Sequence, residues 1–181
     1  MLTVAISLGF NVYHYLSTVN SQATINNMRS LMILAWGWQM RSVASYLRNV
    51  STNIDAAGVA HLLGTASIIG ASTENRGVDL YVYLRTTPQT VDTNLFPYYE
   101  GAPAQVRRIN STAVGMIKNL AQRISDTADW ITGEHEDLTK EEGVDPIQLL
   151  KRKDILDNII NECIEIINLS EQIHNFNPKF Q

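Results

Sequence analysis

The 181-residue chain has a single cysteine, Cys163. No disulfide can close within it, and no Cys-based zinc site can form. Only five prolines occur and the first is Pro88, so nothing covalent breaks the first half into short pieces. Charge is scarce too, at 18% of residues, where about 25% is usual for a soluble domain. The formal net charge of −4 leaves no strongly basic surface, and the one basic cluster, Lys151-Arg152-Lys153, is short and followed by Asp154. A nucleic-acid partner is therefore not expected. A Gly-rich phosphate loop, a G-x-S-x-G elbow and an H-E-x-x-H pair are all missing. With no catalytic motif, the expectation is a non-enzymatic protein with no cofactor and no metal.

Apolar residues make up 45% of the chain, enough for a real core. That composition excludes intrinsic disorder, collagen and a small disulfide scaffold. Mean hydropathy is −0.08, too low for a protein of many membrane spans. The length suits one domain, or a domain plus an appendage.

The charges are unevenly placed. Residues 1–28 carry none, and Arg29 is the first. Residues 29–100 balance to zero, whereas residues 101–181 hold nine basic against thirteen acidic side chains, the whole net charge. The C-terminal part is built for water and the N-terminal part must be hidden in something. Met1–Val19 has nearly the ~20 apolar residues that a membrane anchor requires, although Ser7, Asn11, His14, Ser17 and Thr18 interrupt it. A secretory signal fits poorly, because no Lys or Arg precedes the apolar run and no A-x-A site ends it. Two other readings stay open: a helix buried in a bundle or oligomer interface, and a strand in which Leu2, Val4, Ile6 and Leu8 alternate with Thr3, Ala5 and Ser7. With Arg29 as the only nearby positive side chain, orientation in a membrane is undecided.

The chain divides into an apolar segment 1–22, a helical bundle domain 23–175 with a long loop at 86–103, and a tail 176–181. Thr24 to Asn49 reads as helix. Its centre, LMILAWGWQM, is apolar on every side and is expected at the middle of a bundle. Asn53 to Ala71 reads as a second helix, with Thr52 as N-cap and Asp55 completing a partial capping box. Gly77 to Thr87 alternates apolar and polar residues like a strand. A lone strand needs a partner, and its helical neighbours argue for a third helix instead. Pro88, Pro97, Gly101 and Pro103 make 86–103 a loop, long enough to suggest a functional role. Phe96, Tyr98 and Tyr99 would form its adhesive tip. Pro103 to Ile131 carries Val106, Ile109, Ala113, Met116, Ile117, Leu120, Ile124, Trp130 and Ile131 at three- and four-residue spacing, a helical stripe. An acidic loop, Thr132–Asp145, follows. Asp145-Pro146 is a strong start signal for the last helix, with Leu149, Leu156, Ile159, Ile160, Cys163, Ile166, Ile167 and Ile173 on its stripe. The fold class is mainly α: a bundle of about four helices, with the N-terminal apolar helix continuing into it or flanking it and a short β segment near 77–87 as the exception.

Each candidate for chemistry has a plainer reading. Glu134, His135, Glu136, Asp137, Glu141 and Glu142 offer oxygen ligands, but the spacing and glycine of a calcium loop are absent, so a solvated loop is expected. Glu171-x-x-His174 matches one element of a di-iron bundle whose other elements do not occur. His14 and His61, with Met40, would suit haem ligation; buried histidines with ordinary hydrogen bonds are the plainer expectation. Trp36 and Trp38 flank Gly37 and point to different sides of their helix. With His61 they are candidates to line a small apolar pocket, against the plainer reading of core packing. Cys163 should be an inert core residue. Three Asn-x-Ser/Thr sequons, at Asn49, Asn110 and Asn168, and only five lysines slightly favour the extracytoplasmic side over the cytoplasm.

In layout alone the chain resembles the ligand-sensing helical bundles outside prokaryotic membranes, where one apolar helix runs into the bundle. That likeness implies a membrane-associated bundle for sensing or protein interaction. The alternatives are a soluble assembly or scaffold subunit, a homo-oligomer through residues 1–19, and a small-ligand-binding bundle or an enzyme without a familiar motif.

Overall fold

With no proline and no helix-ending glycine to stop it, the N-terminal quarter forms one uninterrupted helix, α1 (Leu2–Arg48). At 1.5 Å per residue its 47 residues extend about 70 Å. The computed structural model describes residues 2–50, 53–72, 78–96, 106–108, 111–138 and 145–176. After α1 come β1 (Asn53–Asp55), α2 (Ala56–Ala71), α3 (Val78–Leu95), β2 (Val106–Arg108), α4 (Ser111–Thr132), a single turn α5 (Pro146–Leu149) and α6 (Lys153–Phe176). The mainly α, helical-bundle expectation is borne out, with five long helices among the described residues and α1 entering the bundle from outside.

The long helices close into a ring in the order α1, α2, α3, α6, α4, each packing chiefly on two neighbours. Side-chain pairs fix the directions. Arg41 meets Asp129 and Arg48 meets Gln122, so α1 and α4 are antiparallel. Gln39 reaches the Leu62 carbonyl and the Tyr46 hydroxyl lies beside Gly58, which makes α2 antiparallel to α1. The Ser67 hydroxyl donates to the Arg85 carbonyl and Gly70 abuts Leu84, so α3 turns back again. Thr87 lies beside Cys163 and Asn94 beside Ser170, which sets α3 and α6 parallel. The core within the ring includes Ile33, Trp36, Met40, Leu63, Leu84, Leu120, Ile124, Ile159 and Cys163.

Several boundaries differ from the sequence expectation. Asn53–Asp55 is a strand, paired antiparallel with Val106–Arg108, rather than the first turn of α2. The capping falls to Asp55, whose Oδ1 accepts the Gly58 amide at 3.2 Å. The strand alternative for 77–87 is overturned: Leu80, Leu84, Val91 and Leu95 are buried at helical intervals, while Val82, on the supposed apolar side, is 40% exposed. Nor is 86–95 a loop, since α3 runs through Pro88 to Leu95. Proline removes one helical hydrogen bond there, and the buried contact of α3 with α2 and α6 outweighs that loss. The helix expected from Pro103 starts only at Ser111, Val106 being in β2. The last helix is split into α5 and α6; its predicted start holds, with Asp145 accepting the Ile147 amide at 2.9 Å. The centre of α1 is not buried all round, because a ring helix keeps one side outward: Leu31 is 55% and Trp38 54% exposed.

Two glycines of α2 make opposite predictions. A Cβ on Gly70 would lie 2.4 Å from the Leu84 carbonyl oxygen, backbone that cannot give way without parting α2 from α3. A Cβ on Gly64 would meet nothing within 4 Å. Gly70→Ala should therefore lower stability by about 1–3 kcal/mol, and Gly64→Ala should raise it by up to about 1 kcal/mol. Urea unfolding of the two variants beside the parent checks both signs.

Candidate interaction surface along helix α1

Helix α1 has two regimes. From Ser30 onward Ser30, Ile33, Gly37, Met40, Ala44 and Leu47 form a buried seam at alternating spacings of three and four. Such spacing keeps one face of a helix against its neighbours. At Gly37 the approach to α4 is so close that a Cβ would stand 2.7 Å from Ile131 Cγ2. The same register continued backward passes through Asn26, Ala23, Val19 and Leu16. There no other described element covers it, and Tyr15 (70%), Leu16, Val19, Ile25 and Met28 (62%) are exposed. This stretch is a stalk projecting from the ring.

Hydroxyl groups on the stalk turn inward to their own helix. Thr18 Oγ1 donates to the His14 carbonyl at 2.8 Å, Thr24 to Asn20 at 3.0 Å and Ser30 to Asn26 at 3.1 Å. Such i−4 bonds satisfy the hydroxyls without water. The stalk carries no charge before Arg29, and its surface mixes the apolar side chains with exposed uncharged polar ones such as Ser17, Asn20, Ser21 and Asn27.

At the ring end nearest the stalk sits a polar girdle centred on Arg41. Its guanidinium donates to Asp129, to Thr132 Oγ1 at 3.0 Å and to Glu134 at 2.9 Å, and stacks 5.1 Å from the Trp38 ring. The Arg41 and Asp129 side chains are both largely covered. Helix α4 ends against this girdle through Gly133, whose φ of 77° favours glycine. Asp129 also accepts the Glu134 and His135 amides on its carbonyl. His135 stacks on Trp130 at 4.0 Å and 14° and lies 3.7 Å from Asp137. Half of the expected acidic loop thus serves as a helix terminus; Glu141 and Glu142 lie outside the described residues.

The other sequence candidates are scattered. Trp36 is fully buried and its Nε1 has no hydrogen-bond partner, Trp38 faces outward over Arg41, and His61 is exposed on α2. Gly37 opens no pocket between the tryptophans, because Ile131 fills that space. His14 and His61 were expected in buried settings, yet both are exposed, since the stalk and the outer face of α2 are uncovered. Phe96 was expected on an exposed tip and is instead buried, because α3 carries it into the core. Tyr98 and Tyr99 lie outside the described residues. His174 Nδ1 lies 3.2 Å from the Asn94 carbonyl, and Glu171 is exposed. Complete burial pushes the Cys163 thiol up to about 12, so it stays protonated and unreactive at neutral pH. Among the described residues no three His, Cys, Asp or Glu side chains converge on a place fit for a metal ion. Sequence reasoning missed Arg41, although a basic residue directly after the apolar run Leu31–Met40 was a usable signal. It also missed Asp92, which had been assigned to a loop.

No family model, no curated protein and no solved structure matches this chain.

The girdle is open to a thermodynamic cycle. Arg41→Met leaves Asp129 without its cation and should destabilise the bundle by about 1–3 kcal/mol. Pairing it with Asp129→Asn, which removes the stranded charge, should recover part of that loss. Chemical denaturation of the two single variants and the double variant measures the coupling; additive losses would show that the pair does not act together.

Proposed function

We propose that this chain is a non-enzymatic helical bundle for sensing or protein interaction, associated with a membrane through the apolar end of α1. The observation that carries this reading is the stalk. A lone helix in water is marginal even when its composition favours it. This one has no charged side chain before Arg29 and therefore no i,i+4 ion pairs to support it. It exposes large apolar side chains and ties the Thr18 and Thr24 hydroxyls back onto its own carbonyls. An apolar medium accounts for all three features. No described helix is long and apolar enough to cross a membrane, so the association proposed is entry of the stalk into lipid rather than a complete span by the described residues. The sequons and scarce lysine favour the extracytoplasmic side.

A second reading has its own observation. The buried seam of α1 continues in register onto Ala23, Val19 and Leu16 outside the ring, as a stalk packing against copies of itself requires. In that case the protein is an assembly subunit. Vesicle flotation separates the two. Under the first reading the full chain floats with phosphatidylcholine vesicles, and the chain lacking residues 1–22 stays below them as a monomer or dimer. A detergent-free, defined oligomer that ignores vesicles and dissociates on deletion of 1–22 would overturn the membrane reading in favour of the second.

A further inference from the structure

A groove of about 290 Å³ runs between α2 and α3, lined by Leu63, Gly64, Ser67, Ile68, Pro88, Gln89 and Asp92. Its size is at the lower end of ligand pockets, which run roughly 300–1,000 Å³. Two local features open it. Gly64 contributes no side chain, and a Cβ there would meet open space. Pro88 cannot donate to the carbonyl four residues before it. One turn along, the Ser67 hydroxyl bridges the two helices by donating to the Arg85 carbonyl at 3.4 Å.

The one acid in this wall has nothing to hold. The Asp92 side chain is half-buried, and its Oδ1 is closed off from solvent with no hydrogen-bond partner among the described residues. No ion pair forms with Asp92 among the described residues. The only basic side chains on α2 and α3 are His61 and Arg85, and Arg85 donates instead to the Tyr81 hydroxyl at 3.2 Å. Burial pushes the Asp92 carboxyl above the usual carboxylate range. An anionic oxygen covered and unpaired costs stability, and a costly titratable group in a cleft is where binding sites are found.

We propose that this groove binds a small primary ammonium ion with an apolar body. The ammonium carries three N–H donors and no acceptor. The carboxylate of Asp92 takes the charge after a turn about its χ2 that brings the covered Oδ1 to the groove, and the Ser67 hydroxyl and Gln89 amide oxygens are further acceptors on the same walls. Leu63, Ile68 and Pro88 supply the apolar bed. The charge sign excludes carboxylates and phosphates, which Asp92 repels. Binding here needs only the bundle and holds whether the stalk meets lipid or a second copy; within the function proposed above, this groove is the sensing site.

The test uses the full chain with three probes of similar shape: 2-phenylethylammonium, 2-phenylethanol and 3-phenylpropanoate. Calorimetric titration gives affinity, and amide NMR shifts report location. The ammonium is expected to bind with shifts clustered at Leu63–Ile68 and Gln89–Asp92, the alcohol about tenfold or more weakly, and the carboxylate not at all. Asp92→Asn should cut the ammonium affinity by a similar factor and leave the alcohol's unchanged. Gly64→Leu, which fills the groove from an open position and keeps the carboxylate, should abolish both while the melting temperature holds. No ammonium binding at millimolar concentration, equal binding of all three probes, or affinity indifferent to both variants would overturn the proposal. None of these outcomes bears on vesicle flotation, so the two readings fail separately.

Discussion

Because nothing interrupts Leu2–Arg48, one helix serves both as a wall of the ring and as the stalk beyond it. The rest of the architecture is arranged around that continuity. Gly37 lets Ile131 of α4 press directly on the α1 backbone, where a β-carbon would not fit. Arg41, one turn further, binds Asp129, Thr132 and Glu134, so the end of α4 is tied to one level on α1. These two contacts fix the register of α4 on α1. No break in secondary structure separates residues 14–29 from the part of α1 that packs on α4.

The remainder of the ring is less uniform than its helices suggest. The α2–α3 pair adds a close backbone approach at Gly70 and one long hydroxyl bridge at Ser67 to its buried apolar side chains, and it contains the proline and the unpaired acid. The α4–α6 pair has long apolar stripes and the Arg123–Glu162 ion pair.

How much could be read without coordinates follows from the same physics. Helices α4 and α6 were legible because Ala113, Ile117, Leu120, Ile124 and Ile131, and then Ile159, Cys163, Ile166 and Ile173, repeat at helical spacing against a charged opposite face. The continuation of the apolar N-terminus into the bundle was legible from the missing prolines. Helix α3 was not. Tyr81, Val82 and Tyr83 blur its period into an alternation, and Pro88 argues locally for a break that tertiary contact overrides. The start of α2 was lost to a three-residue strand whose partner lies some fifty residues away in sequence, a separation no local pattern encodes. Of the sites, the apolar stalk was visible as an absence of charge. The girdle and the groove were not, since both arise where separate helices meet, and Phe96 looked like a loop aromatic only because α3 had been ended too soon.

The central claim is that α1 is one helix whose first part is covered by lipid and whose second part is covered by the bundle. Hydrogen–deuterium exchange of the full chain, with and without phosphatidylcholine vesicles, tests it residue by residue. The account predicts that amides from Ile33 to Leu47 are slow in both conditions. Amides of the stalk through Val19 should exchange fast without vesicles and slow by about tenfold or more with them, since an uncovered helix of this kind opens readily. Stalk amides that exchange at the same rate with and without vesicles would contradict it.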